Sequence, residues 1–502
     1  MVWPGGDAGE TVLKVALSFI LLAVLTGLGI LVFGALSLRS LPETERSPVP
    51  PRFDSVEMLE RFRDGLRIPT ISQQPGQATN GAAFLAFRAL LERSFPRVHA
   101  ELEKELISNH TLVFKWLGQV PSAPATVLLA HQDVVPVDGE NEDQWTHPPF
   151  AAQIDDGYVW ARGALDDKLG LFAILEAVEI LIQEGFVPQR TLYLVFGHDE
   201  ELGGAHGASE VARLFVERDI SLGLVLDEGG ALTEGQVPGV DQPVALVGAA
   251  EKGYLTALLE VKSLGGHSSA PPAETAIGIL AKAISRLEET PFEAHLDEVG
   301  RAFFERGIGP SSTFGMQLVY GNLWFFEPIL LKVLESNPTT AAMVRTTVAP
   351  TMMKAGTKEN VLPTQAMALV NFRIFPGETE ESVLEEARRI VADPRVALRA
   401  LAAGRAPSPA SSLDSQAWRT LERTIYELFP EAIVAPYLVL GGTDSRYFRS
   451  RCDCVYRFLP VRLGADSMSL IHGTNERVAA TSLVEAAHFY HQLIQNADSA
   501  AF

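Results

Sequence analysis

The chemistry this chain can perform is concentrated in five short groups: His131-Gln132-Asp133, Asp166 within Arg162-Gly163-Ala164-Leu165-Asp166-Asp167-Lys168, the pair Glu200-Glu201, then Asp227 and His472. Imidazole nitrogen and carboxylate oxygen are ligands that divalent zinc takes, and a catalytic zinc site keeps one position open for water or substrate. A single carboxylate, Asp166, flanked by two such His-plus-acid sets can bridge two ions, so the pattern predicts a two-metal hydrolase. Each group alone has a bland reading: Asp227 as a helix cap, His472 as a satisfied histidine, Glu200-Glu201 as a solvated surface pair. Their joint occurrence carries the prediction.

Such ligands need rigid elements to hold them. Residues 126–130, 191–196 and 222–226 are short apolar runs that read as buried strands. They deliver His131 and Asp133, then Asp199 to Glu201, then Asp227. Ligands in open parallel sheets sit beyond the carboxyl ends of the strands. Residues 53–66 and 169–184 have helical periodicity. After Ala249 the character changes: 253–261 alternates like a half-exposed strand, 274–289 is helical, 367–374 a strand, 380–392 a helix and 396–400 a strand. That order suits a small antiparallel sheet with helices on one face, inserted before helix 415–429 and strand 434–438 rejoin the first unit. Residues 292–344, with Phe303, Phe304, Trp324, Phe325, Phe326 and Leu330, read as extra helices completing the insert's core; a dimer surface and a lipophilic substrate wall are the alternatives.

The length of 502 residues exceeds one typical domain and predicts two. A formal net charge of -21 argues against binding nucleic acid or an anionic membrane surface through broad electrostatics. Cys452 and Cys454, the only cysteines, cannot build a disulfide framework and read as small core or strand residues.

Residues 15–38 hold no charge, enough for a helix across a bilayer, which needs about 20 apolar residues. The rival is a cleaved signal peptide, with Ala35-Leu36-Ser37 as a small-x-small cleavage site. Residues 39–52, with Pro42, Pro48, Pro50 and Pro51, read as an extended tether. Arg39, Arg46 and Arg52 after the span outnumber Lys14 before it, which favours a cytoplasmic body.

Taken as a set, these motifs and others resemble the co-catalytic zinc peptidases that include aminoacylase-1, carboxypeptidase S and glutamate carboxypeptidases. The additional motifs are His198-Asp199-Glu200-Glu201, Leu226-Asp227-Glu228-Gly229-Gly230, Gly265-Gly266-His267-Ser268-Ser269 and Ile471-His472-Gly473. Ser268-Ser269-Ala270-Pro271-Pro272 and Gly442-Thr443-Asp444-Ser445-Arg446 look closest to the carboxypeptidase S branch and its secreted relatives that make or hydrolyse N-fatty-acyl amino acids. The resemblance implies an α/β catalytic domain with a mixed sheet between helices and an inserted α+β ferredoxin-like lid. The corresponding boundaries are 12–38 for a transmembrane anchor, 39–52 for the tether, 53–250 and 409–502 for the catalytic domain, and 251–408 for the lid.

It further implies two zinc ions bridged by Asp166, one completed by His131 and Asp227 and the other by Glu201 and His472. Asp133 would hold the second nitrogen of His131, Glu200 would be the general base, and a cis peptide would follow Asp166. On the lid, His267 would meet the tetrahedral oxygen, while Asn360 and Arg373 would contact substrate. A metal lowers the pKa of bound water to around 7; Glu200 would take its proton and return it to the leaving amine.

The expected reaction is cleavage, reversibly, of the amide of an N-fatty-acyl amino acid with a free carboxylate. The alternative is a carboxypeptidase acting on short peptides. A metal-free receptor or scaffold and a zinc-storing module are further readings; the retained ligands oppose the first and Glu200 the second. Lumenal and secreted relatives imply a non-cytoplasmic body, against the basic-residue count, or secretion after signal cleavage. A homodimer through the lid is a further expectation.

Overall fold

The computed structural model describes residues 7–38, 53–72, 80–139, 142–237, 239–464, 467–500 and 502. The expected tether, 39–52, lies outside them. In chain order the strands that matter here are β1 (Glu103–Ile107), β2 (Thr111–Trp116), β3 (Ala125–His131), β4 (Leu192–Gly197), β5 (Leu222–Asp227), β6 (Ala231–Thr233) and β7 (Val244–Glu251). They continue as β8 (Gly253–Lys262), β9 (Thr347–Ala355), β10 (Gln365–Ile374), β11 (Val396–Ala400), β12 (Ile433–Val439), β13 (Val455–Arg457) and β14 (Arg462–Leu463). The helices that matter are α1 (Asp7–Leu36), α2 (Lys168–Gln183), α3 (Ala276–Glu289), α4 (Phe314–Tyr320), α5 (Leu323–Glu335), α6 (Glu380–Val391) and α7 (Ser482–Ser499).

A mixed sheet runs β1-β2-β4-β3-β5-β13-β7-β6-β14, with β12 beside β7. Its centre is parallel: β3 pairs with β4 and β5, and β13 with β5. Strands buried on both faces must be apolar along their whole length, and every residue of β3, β4 and β5 is buried. Helix α2 is covered almost all round and packs against α7. That explains its apolar composition on every face, because a helix apolar all round has no side for water. The three central strands end side by side at His131, Gly197 and Asp227, as their sequence patterns predict.

A second sheet, β9-β10-β8-β11, is antiparallel throughout. With α3 and α6 packed on it, it has the β-α-β-β-α-β order and a core of its own, including Leu255, Leu259, Leu280, Val370, Phe372 and Val383. The alternation of β10 places Phe372 and Ile374 in that core and leaves Asn371 and Arg373 half-buried on the other face. Strand β9 is absent from the sequence reading, because its run is largely exposed and therefore lacks a hydrophobic period.

Phe292 joins the small sheet's core as expected, but most of the apolar residues that follow it to 344 do not. Phe303, Phe304, Ile308, Tyr320, Leu323 and Leu330 pack with Val240, Val244, Ile433 and Ala435, at the edge of the large sheet rather than in the small sheet's core. Helix α1 is long and apolar enough to cross a membrane over Thr11–Leu36, and its span is exposed except near its end, where Leu31 and Gly34 are half-buried and Ala35 is buried. Cys452 is buried, Cys454 half-buried, and both are free.

Candidate metal centre

The loops leaving the three central strands converge. His131 Nε2 lies 2.8 Å from Asp166 Oδ1, and His472 Nε2 lies 2.9 Å from Asp166 Oδ2 and 3.1 Å from Glu201 Oε2. One carboxylate thus turns a different oxygen toward each imidazole. Two groups of ligand atoms, each within 4.8 Å of one another, result: His131, Asp166 and Glu228, and Asp166, Glu201 and His472.

Asp227, expected beside His131, is not in either group. Its Oδ1 accepts from the Glu228 N–H at 3.0 Å and its Oδ2 from the Ser445 N–H at 2.7 Å, so both oxygens are turned to backbone. It is the last residue of β5, and the next residue, Glu228, carries the carboxylate to the cluster. The strand thus ends in two adjacent acids, of which Glu228 stands in the group with His131 and Asp166 while Asp227 accepts from backbone.

Supporting contacts fix the rest. His131 Nδ1 is 2.9 Å from the Asp133 carbonyl oxygen and 3.4 Å from Asp133 Oδ1, so the backbone of Asp133 holds the ring more closely than its side chain does. The Asp133 carboxylate instead accepts from the Glu200 and Glu201 N–H groups at 3.3 and 3.1 Å and from the Ser72 hydroxyl. It sets the turn that presents both glutamates. Glu476, which the sequence reading missed, accepts from Arg162 at 2.7 Å and from the Gly163, Leu165 and Asp166 N–H groups at 3.0, 2.8 and 3.3 Å. It shapes the loop that carries Asp166, where the Asp166-Asp167 peptide is cis. Lys168 of the same motif donates to the Gly65 and Ile68 carbonyls instead.

The cluster's electrostatics call for cations. Burial, reinforced by Asp444, Glu201 and Asp166, pushes the Glu200 carboxyl well above its ordinary range. Burial and the carboxylates of Asp166, Asp227 and Asp167 do the same to Glu228. Burial would lower His131, yet its hydrogen bonds with Asp133 and Asp166 hold it well above the usual imidazole range. Hydrogen bonds to Asp166 and Glu201 lift His472 to about 10. Among the described residues Glu201 Oε1 has no hydrogen-bond partner. Buried acids that outnumber their cationic neighbours, one of them with an oxygen that no hydrogen bond claims, fit a pair of divalent cations sharing Asp166.

Two cavities matter here, and the first opens on the cluster. One, about 370 Å³, reaches from Asp166, Glu228 and Gly229 along Phe303, Phe304, Tyr320 and Leu334, and is almost wholly apolar. The other, about 360 Å³, is lined by Arg373, Arg405, Arg446, Tyr254 and Lys252. Burial, with Arg446 nearby, pulls the Arg373 guanidinium below its ordinary range despite the attraction of Glu200. The Arg373 guanidinium stacks 5.0 Å over Tyr254. His267 and Asn360 are brought together elsewhere, on a ribbon pairing Gly266–His267 with Val361–Leu362. The Ser268 N–H donates to the Asn360 carbonyl at 3.2 Å, and His267 Nδ1 is 2.8 Å from Ser269 Oγ. Among the described residues neither His267 nor Asn360 hydrogen-bonds to the carboxylate cluster.

This fold and this cluster define a metal-dependent hydrolase, and the chain belongs to peptidase family M20/M25/M40, whose pattern matches residues 127–496. It is 38% identical over 447 residues to probable carboxypeptidase S-like 2 of Dictyostelium discoideum, covering 88% of this chain and 85% of that protein. It is 39% identical over 446 residues to N-fatty-acyl-amino acid synthase/hydrolase PM20D1 of Xenopus tropicalis, covering 88% and 86%. The crystal structure of the metallo-carboxypeptidase Sso-CP2 from Sulfolobus solfataricus shares the fold, with a TM-score of 0.65 at 18% identity over 88% of this chain and 99% of that one.

Proposed function

We propose that the protein is a membrane-tethered dizinc amidohydrolase that cleaves, reversibly, the amide of N-fatty-acyl amino acids bearing a free carboxylate. The observation that carries this reading is the apolar cavity opening on Asp166 and Glu228, in a chain that also holds a cavity lined by Arg373, Arg405 and Arg446. In this reading the acyl chain fills the first, the carboxylate meets Arg373, Arg405 and Arg446, and Glu200, whose charge acts on Arg373 and Arg405, serves the amide between them. Relatives named for N-fatty-acyl-amino acid chemistry support the same assignment.

His131, Asp166 and Glu228 would hold one ion, and Asp166, Glu201 and His472 the other; imidazole and carboxylate donors suit zinc. Bound there, the ions acidify water and polarise the carbonyl. Glu200 takes a proton from the attacking water and returns it to the amine nitrogen, which leaves poorly without it. Asp133 keeps Glu200 and Glu201 in place through their backbone N–H groups. The small-sheet unit, residues 251–408, acts as the lid, with His267 donating to the oxygen that becomes negative and Asn360 beside it binding substrate. The apolar helix anchors the body on the non-cytoplasmic side.

A carboxypeptidase acting on short peptides is the second reading, because the arginine-lined cavity accepts any C-terminal carboxylate and a carboxypeptidase S-like relative matches most of the chain. Comparing kcat/KM for N-oleoyl-phenylalanine, N-acetyl-phenylalanine and Gly-Leu on the zinc-loaded chain separates the two. The fatty-acyl substrate is expected to lead; a tenfold advantage for the dipeptide would make the protein a carboxypeptidase.

A further inference from the structure

The outer face of the helices that wall the apolar cavity is itself apolar and exposed. On α5, Trp324, Phe325, Ile329 and Val333 are each more than half exposed, and Phe314 and Met316 of α4 continue the patch. A water-facing helix carries polar residues there, and a contiguous apolar patch marks an interaction surface. The acids of α5 are paired: Glu327 with Arg301, and Glu335, itself exposed, with Arg345 at 2.6 Å. Its one basic residue, Lys332, is exposed beside the stripe. On a chain of net charge -21, that leaves a face without free acids and with one cation.

The neighbour of this face says what covers it. Helix α1 packs against α4 through small residues: a Cβ on Gly34 would come within 2.6 Å of the Gly321 carbonyl oxygen, and one on Gly321 within 2.4 Å of the Gly34 oxygen. Such backbone approach is how helices associate within lipid. The Asn322 side chain, itself buried, donates to the Leu31 carbonyl at 2.8 Å. Leu31 lies about 8 Å before the end of the span at a helical rise of ~1.5 Å per residue. Helices lying in the plane of a membrane surface sit ~5 to 10 Å deep. The docking of α1 therefore holds α4 and α5 at that depth, with their apolar stripe toward the acyl chains.

We propose that α4 and α5 lie in the outer zone of the bilayer beside α1, so that a long-chain N-acyl amino acid passes from the membrane into the cavity that their inner faces wall. Tyr320 of α4 and Leu334 of α5 line that cavity, so the two helices separate lipid from metal centre by a single layer. The delivery half of this proposal rests on the fatty-acyl reading above; the membrane contact does not.

The test uses the full chain in phosphatidylcholine vesicles with brominated acyl chains, in a Trp3→Phe background so that the amino-terminal tryptophan is silent. The part of the emission that Trp324→Phe removes is expected to be at least half quenched, and an unquenched Trp324 overturns the membrane contact. In parallel, Phe325→Ser/Ile329→Ser/Val333→Ser is expected to lower kcat/KM tenfold or more for vesicle-dissolved N-oleoyl-phenylalanine and to leave water-soluble N-butanoyl-phenylalanine unchanged. Equal loss on both substrates, or none on either, overturns delivery from the membrane. If the parent chain cleaves N-butanoyl- but not N-oleoyl-phenylalanine, the fatty-acyl reading fails, while the Trp324 quenching still decides the contact.

Discussion

Exchanging two neighbouring acids separates ligand from support. Glu228→Gln keeps the side chain's size and removes its charge. In the metal-free chain, burial beside other carboxylates raises the Glu228 carboxyl, so ionising it as pH passes its ordinary range penalises the folded state. The amide lacks that penalty, and the Tm of the metal-free variant at pH 8 is expected to rise. In the loaded chain the same change removes an anionic donor from the His131 side, so bound zinc should fall from two ions per chain to one. Asp227→Asn should do the opposite on both counts. Its amide offers one carbonyl oxygen where the carboxylate accepts the Glu228 and Ser445 N–H groups at 3.0 and 2.7 Å. A buried donor left without its acceptor costs about 1 to 3 kcal/mol, which lowers Tm. Weakened support for a ligand reduces metal affinity by ~10- to 100-fold, yet both ions remain at saturating zinc. Metal analysis after dialysis against buffered zinc, with calorimetry on the same samples, reads both quantities. One ion lost from Asp227→Asn and two retained by Glu228→Gln would refute the assignment.

Other substitutions probe the remaining groups. Glu200→Gln should keep both ions while kcat falls ~100- to 10,000-fold, and loss of zinc would instead make Glu200 a ligand. In the metal-free chain, His472, lifted to about 10, adds stability that is complete below pH 6.5 and is lost as pH rises from there through about 10; the raised carboxyls of Glu200 and Glu228 act in the same direction. Zinc takes only deprotonated ligands, so the Tm gap between loaded and metal-free protein should widen from pH 6 to 9, and a gap that narrows contradicts the ligand set. Along a series of N-acyl-phenylalanines, kcat/KM should rise about fourfold per methylene, from ~0.8 kcal/mol each, until the cavity fills; a flat series removes the cavity from substrate binding. Arg373→Met should raise KM for the free carboxylate and leave the already poor amide-blocked substrate unchanged, and equal losses on both would make Arg373 structural.

The catalytic strands were legible because burial on both faces forces uninterrupted apolar runs, and β3, β4 and β5 agree with their expected bounds to within a residue or two. What escaped has a physical reason in each instance. That the backbone claims both oxygens of Asp227 and leaves Glu228 to the cluster could not be read locally, because one of the donors is Ser445, more than two hundred residues away in sequence. Glu476 acts through N–H groups of a distant loop and leaves no local pattern. The helices at 298–342 carry a hydrophobic signal, but composition does not say which of two cores an apolar helix joins; the edge of the large sheet, around Val244 and Ile433, took them.

That last choice ties substrate selection to catalysis through one turn. After Glu228 the chain leaves β5 at Gly229, with a φ of 101°, and Gly230, where a Cβ would meet the Leu246 oxygen at 2.2 Å and the Arg457 oxygen at 2.5 Å. A side chain at Gly230 is excluded by backbone on two sides, so the chain passes flat against β7 and β13. Two consequences follow from this turn. Glu228 is held at the angle that carries its carboxylate to His131, and the space above Gly229 and Gly230 stays open as the floor of the apolar cavity. Gly230→Ala should therefore disturb metal binding and acyl-chain preference together, whereas substitutions at Phe304 or Leu334 on the opposite wall should shift chain-length preference with both ions retained. If Gly230→Ala alters chain-length preference with metal content unchanged, the turn serves the cavity alone and the coupling argued from Glu228 is wrong.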